Sequence, residues 1–136
     1  MRLFEVHSFV SIDQEHDHGS LEGYVVDATL PQLQNYLSAQ GAEQSVINDL
    51  LKKYKRIGLL RNLYVDEDHR NTGIGTSLVD SAINDAFKYG ADAVVLVADS
   101  NEDNSQLGRS LEDWYKTWGF TTIDHAGRDP IMVLEK

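Results

Sequence analysis

The stretch LYVDEDHRNTGIGTSLVDSAI, residues 63–83, decides how the rest of the chain is read. An apolar run passes through three acids and a His-Arg pair to Gly73 and Gly75, then enters an amphipathic helical pattern. Glycine costs roughly 1 kcal/mol relative to alanine inside a helix, so two glycines at a helix start need a compensating role. Anion binding supplies one. The first N–H groups of a helix lack internal partners, and the helix dipole favours negative charge there. Glycines let a phosphate approach the backbone, which makes a diphosphate the natural guest for the turn at Arg70–Thr76.

Two familiar phosphate motifs do not fit. A P-loop needs Gly-Lys-Ser/Thr, but Gly75 is followed by Thr76 and Ser77. A dinucleotide fingerprint needs a third glycine where Leu78 stands.

Outward from this stretch, RIGLLRNLYV (56–65) is largely apolar, as expected of a central strand covered on both faces. Residues 74–89 give a clear helix: Ile74, Leu78, Ala82 and Ala86 form a stripe that Val79, Ile83 and Phe87 widen, and Gly90 ends it. DAVVLVAD (92–99) is a second buried strand. In one sheet, such a strand–helix–strand unit implies parallel strands and a right-handed crossover. A helix through Leu111, Trp114, Tyr115 and Trp118 follows a polar loop and stops at Gly119, and two strands flank a Gly-Arg-Asp-Pro turn in the tail. Upstream, residues 2–12 and 21–28 read as strands of a hairpin across DQEHDHGS. Two helices follow, at 31–39 and 43–54. The expectation is one α/β domain over residues 1–136, a central mixed sheet flanked by about four helices.

Composition narrows the function. A net charge of −10 argues against a general nucleic-acid binder and favours a cationic partner. With no cysteine there is no disulfide, thiol nucleophile or thiolate metal site. The first residues alternate and carry early charge, unlike a signal peptide or a membrane span, so a cytoplasmic protein is expected.

Arg70-x-x-Gly73-x-Gly75 resembles the Arg/Gln-x-x-Gly-x-Gly/Ala signature of the GNAT superfamily of acyl-CoA-dependent N-acetyltransferases. WYKTWGF (114–120) is similar to the family's Tyr-x-x-x-Gly-Phe segment, with helix and strand between the two motifs in the expected order. The resemblance implies acetyl-CoA as cofactor, held by Arg70, Asn71, Thr72, Gly73, Ile74, Gly75 and Thr76. It also implies that the motif strand splays from its parallel neighbour, so that Leu63 and Val65 offer backbone to the pantothenate amides. Tyr115 matches the general-acid tyrosine, and a backbone N–H near Val65 would stabilise the oxyanion. Dimerisation is a family expectation.

The chemistry sets demands on these groups. A lysine-like amine of pKa near 10.4 costs about 4.6 kcal/mol to deprotonate at pH 7. Proton donation from a tyrosine to a departing thiolate is uphill by roughly 2 kcal/mol, which a hydrogen bond tightening in the transition state tolerates. A base is harder to find. Relatives that use a glutamate place it where Leu60 stands, and 57–65 carries no carboxylate. Glu22 and His7 are the candidates, with a water relay as the other route. An asparagine that many relatives place near the cofactor is replaced by Gly108, leaving Asn104 (or Asn101) as a substitute.

The expected activity is direct acetyl transfer to a primary amine of a small molecule or peptide, the charge favouring a cationic acceptor. A non-catalytic acyl-CoA-binding module and an acetyltransferase acting on charged tRNA stay open beside it. The usual family order is one strand, two helices and a three-strand meander, which residues 1–56 do not follow. HDH (16–18) reads as a hairpin loop without fixed ligand geometry and DED (66–68) as a solvated shoulder, so no metal site is expected. KKYKR (52–56) suits a helix C-terminus, with a contribution to phosphate binding secondary.

Overall fold

The computed structural model describes residues 9–70, 72–98, 111–125 and 129–136. The elements run β1 (Phe9–Ser11), β2 (Gln14–His16), β3 (Gly19–Asp27), α1 (Pro31–Ala39), α2 (Gln44–Lys53), β4 (Arg56–Val65), a 3-10 turn (Glu67–His69), α3 (Ile74–Lys88), β5 (Ala93–Val97), α4 (Leu111–Lys116), β6 (Thr121–Asp124) and β7 (Ile131–Glu135). The described strands form one seven-stranded mixed sheet in the order β1-β3-β4-β5-β7-β6, with β2 also paired to β3. The expected mixed sheet and four helices are therefore present.

β4 and β5 are parallel and α3 is their crossover. Every residue from Ala93 to Leu96 is buried, as a strand covered on both faces requires. On one face Leu21, Val25, Leu60, Val94 and Leu96 pack against Leu78, Val79, Ala82 and Ala86 of α3, together with Tyr115 and Phe120. On the other, Val26, Ile57, Leu59, Val95 and Val133 pack against Leu33 and Leu37 of α1 and Ile47 and Leu50 of α2. Full burial of such a side chain contributes about 1.5–3 kcal/mol, so the two layers hold the sheet from both sides. α3 lies close to β4: a Cβ at Gly58 would come within 2.8 Å of the Ala86 Cβ.

The amino-terminal hairpin departs from its sequence reading. The polar stretch after Ile12 is not a loop, because the chain rejoins the sheet at Gln14–His16 and turns only over Asp17 and His18. Ile12 interrupts the edge by folding inward, 3% exposed, while its N–H donates to the Gly23 carbonyl at 2.8 Å. The Gln14 side chain is then anchored to Asp85 of α3 at 2.8 Å. β3 is thus one long strand lined by two short ones. It also neighbours β4 in the sheet although α1 and α2 intervene in the chain, so this sheet edge is filled by strands that precede the helices.

Candidate functional site

The sheet opens at its centre. Among the described residues, β4 and β5 share register from Ile57↔Ala93 to Leu60↔Leu96 and no further, while β4 runs on to Val65. The cause lies in β4. Its register with β3 slips between Glu22↔Arg61 and Ser20↔Tyr64, so Asn62 and Leu63 together oppose Leu21. Asn62 has φ 56°, the left-handed conformation in which asparagine is better tolerated than most residues. One extra residue also inverts the strand's alternation. Leu60, Leu63 and Val65 therefore all pack on the α3 side, although 60 and 63 differ in parity.

Beyond this bulge, Asp66 N–H donates to the His18 carbonyl at 2.7 Å. Hydrogen-bonded and non-bonded pairs alternate along an antiparallel ladder, so the Gly19–Val65 pair is a non-bonded one. The N–H and C=O of Val65 consequently point away from β3, toward the open side. The Val65 carbonyl accepts a hydrogen bond from Arg70 Nε at 3.1 Å, which folds the loop back onto the strand end.

The loop leads into α3 through Gly73, whose φ of 90° is left-handed and whose missing Cβ would meet nothing within 4 Å. Among the described residues no side chain caps this helix, and its first turn holds no acid. The first helical bond is donated by Ser77 to the Gly73 carbonyl at 3.0 Å, which leaves the amides of Ile74, Gly75 and Thr76 without intrahelical acceptors. The Thr72 hydroxyl donates to the His69 carbonyl and braces the approach. Gly73 and Thr76 are exposed, Ile74 and Gly75 half-buried. The arrangement can accept an anion at a bare helix N-terminus beside an open strand edge.

α4 lies against the same end of α3. The Trp114 ring sits 3.5 Å from where a Cβ on Gly75 would be, and Trp118 Nε1 donates to Asp80 at 2.5 Å. Tyr115, 6% exposed, packs in the α3-side core with its ring edge-on to Phe120. Leu63, Val65, Arg70, Gly73, Ile74, Gly75, Thr76 and Tyr115 are thereby gathered on one face or one end of the sheet.

A family model described as the acetyltransferase (GNAT) family matches residues 45–120, more than half of the sequence. The chain belongs to the GNAT acetyltransferase family. Among curated proteins none matches it in sequence. Solved structures share the fold at low identity. The PaiA N-acetyltransferase of Thermoplasma acidophilum, in complex with coenzyme A, superposes with a TM-score of 0.58 at 16% identity, over 99% of this chain and 65% of that one. Naa50 of Arabidopsis thaliana, in complex with a bisubstrate analogue CoA-Ac-MVNAL, gives 0.54 at 16% identity over 88% and 66%. A mosquito arylalkylamine N-acetyltransferase-like protein gives 0.55 at 15% identity over 88% and 68%. The chain spans 62%, 73% and 60% of the length of three further structures that it matches.

Within this GNAT domain, Glu22 is not gathered with the rest. It projects from the α1–α2 side of β3, since its neighbour Leu21 faces α3, and it pairs with Arg61 Nε at 3.1 Å. The Arg61 guanidinium lies 5.6 Å from the ring centres of both Tyr24 and Tyr36. Burial disfavours its charge, but Glu22 and the two tyrosines together outweigh that effect and raise its pKa. Two members of the basic run at 52–56 are likewise engaged away from the loop: Lys53 meets Glu135 at 3.1 Å and Arg56 meets Asp27 at 2.7 Å. His7, Asn71 and Asn104, with Asn101 and Gly108, lie outside the described residues. Sequence reasoning missed Asn62. The available signal was an asparagine, tolerant of left-handed backbone, inside an otherwise apolar strand.

Proposed function

We propose that this GNAT domain is an N-acetyltransferase that holds acetyl-CoA at the start of α3 and directs its acetyl group to a primary amine. The uncapped N-terminus of α3 beside the unpaired end of β4 carries this reading. It offers oriented amides and the Arg70 charge to a diphosphate, and an open strand edge to a chain of amides. The open space at Gly73 and the lack of first-turn acids fit such a guest.

Arg70 and the amides of residues 72–76 bind the diphosphate, with Asn71 part of the same loop. Leu63 and Val65 align the pantetheine arm through main-chain groups, and the Val65 N–H stabilises the oxyanion as the amine nitrogen bonds to the thioester carbonyl carbon. Tyr115 gives its proton to the sulfur as the C–S bond breaks and recovers one from the new amide nitrogen through water. Thioester cleavage therefore needs no covalent enzyme intermediate. Neighbours named for peptide-like and arylalkylamine acceptors support an amine acceptor of small-molecule or peptide size, and the net charge of −10 favours a cationic one.

A second reading is a non-catalytic acyl-CoA-binding module. The absence of a carboxylate on β4 and the engagement of Glu22 by Arg61 favour it. Thiol release from acetyl-CoA across an amine panel, with direct measurement of CoA binding, separates the two. Turnover with some amine, reduced at least tenfold by Tyr115→Phe at unchanged CoA affinity, supports the transferase. Binding without turnover for any amine supports the module, and no binding at all sinks both.

A further inference from the structure

Three side chains from separate segments converge where β4 gives way to the loop before Arg70. His18 comes from the β2–β3 turn, Asp66 follows the last residue of β4, and His69 ends the 3-10 turn. One candidate ligand atom from each lies within 4.8 Å of the other two. The two imidazoles are stacked, centroids 3.5 Å apart and planes 6° from parallel. Nδ1 of His18 stands 3.4 Å from Asp66 Oδ2, longer than the roughly 2.7–2.9 Å of a strong charge-assisted hydrogen bond. Nδ1 of His69 is buried and has no hydrogen-bond partner among the described residues. A buried polar atom left without a partner is destabilising. Stacking two imidazoles satisfies none of these polar atoms. A shared cation would satisfy all three groups.

We propose that His18, Asp66 and His69 form a binding site for a divalent transition-metal ion, clasping the β2–β3 turn to the entrance of the phosphate loop. Two imidazoles and a carboxylate are a donor set for zinc, nickel or copper, whereas magnesium and calcium demand oxygen ligands. A tetrahedral ion with bonds of about 2.0–2.1 Å wants its ligand atoms about 3.3 Å apart. The rings therefore tilt out of their stack on binding, and side chains of His18 and Asp66 that are each 40% exposed leave room for it. The main chain already holds the site together, because the Asp66 N–H bonds to the His18 carbonyl and the His69 N–H to the Asp66 carbonyl. The consecutive HDH run is not the site. His16 uses its Nδ1 to accept the His18 N–H, and the ligands come from residues that the sequence separates by some fifty positions.

The site stands independently of the acyl-transfer reading and is tested on tag-free protein with zinc alone. Calorimetry is expected to show one ion bound per chain, no binding of magnesium, and at least a tenfold loss of affinity in His69→Ala or His18→Ala but not in His16→Ala. Imidazole resonances of the unmodified protein provide a readout that needs no variant: those of His18 and His69 move together on zinc addition, those of His16 and His125 do not. Lack of saturable zinc binding, binding unchanged in His18→Ala and His69→Ala, or shifts confined to other histidines would overturn the proposal.

Discussion

Arg70 reaches back to the strand it follows: its Nε donates to the main-chain carbonyl of Val65 at 3.1 Å. The contact turns the side chain into a strut, holding the loop against the open end of β4 while leaving the outer guanidinium nitrogens out of that bond. A lysine in its place keeps the charge but has no planar fork with which to brace and bind at once. Arg70→Lys is therefore expected to weaken coenzyme A binding about tenfold, or about 1.4 kcal/mol, and Arg70→Ala by more. Calorimetry at two salt concentrations checks it, because the Arg70→Ala loss, which removes a charge, should shrink as salt screens it, whereas the Arg70→Lys loss, which is geometric, should persist. Equal affinity for Arg70→Lys and the parent protein would remove the bracing role.

The two glycines of the motif do different work. Gly73 sits at φ 90° with open space where a Cβ would go, so Gly73→Ala is strained by its backbone and not by its neighbours. That strain costs about 1–2 kcal/mol. Gly75 has ordinary helical surroundings, with Trp114 and Val65 at 3.5 and 3.7 Å from where a methyl group would sit. Gly75→Ala should leave the fold as stable or improve it by up to about 1 kcal/mol. Urea denaturation of both variants, followed by coenzyme A titration, separates the roles. If Gly75→Ala loses coenzyme A affinity at unchanged stability, its glycine serves the ligand.

Local pattern carried most of the fold. The αL glycines at 41, 90 and 119 end or follow helices where the sequence places them, and the stripe of α3 buries Leu78, Val79, Ala82, Ile83 and Ala86, with Ile74 and Phe87 partly buried against the same core. The run-in strand, the left-handed Gly73 at the start of α3 and the helix α4 follow from the same signals. Long-range relations were not legible. Whether Glu22 faces Tyr115 depends on which side of β3 it occupies, and that is set by the sheet. The pairing of β1 and β2 with one strand depends on Ile12 folding inward over Gly23. The meeting of His18 with Asp66 and His69 needs the register of β3 on β4, for which two distant segments carry no local signal.

Asn62 tests how far one backbone angle shapes the site. Its left-handed φ makes the bulge that lets Leu60, Leu63 and Val65 all face α3. Glycine adopts that angle freely, so Asn62→Gly should stay within about 0.5 kcal/mol of the parent. A β-branched residue does not, and Asn62→Val should lose about 1–3 kcal/mol or shift register and expose Leu63 and Val65. Denaturation midpoints with amide exchange across 61–66 distinguish strain from slippage. Equal stability of the Gly and Val variants would mean that the bulge is imposed from elsewhere.

Asp92 gives the stability a defined acid limb. One carboxylate oxygen accepts the N–H of Lys55 at 2.9 Å and of Arg56 at 3.1 Å, and the Asp92 N–H in turn donates to the Arg56 carbonyl at 2.9 Å. The two backbone donors, Arg56 first, hold the carboxyl below its ordinary pKa, against a smaller opposing effect of burial. A depressed pKa in the folded state means that the unfolded chain takes up the proton first as pH falls. The stabilisation is thus fully present above the unfolded value, near 4, and is lost as pH drops through the lower folded one. Because Asp92 is exposed, the contribution stays at the low end for a hydrogen bond, about 0.5–1 kcal/mol. In Asp92→Asn the amide oxygen still accepts but cannot titrate. Urea unfolding of both proteins from pH 7 to pH 3 should show a constant gap above pH 5 that closes below about pH 4. Curves that stay parallel to pH 3 would show that the carboxylate's charge contributes nothing at the junction of β4 and β5.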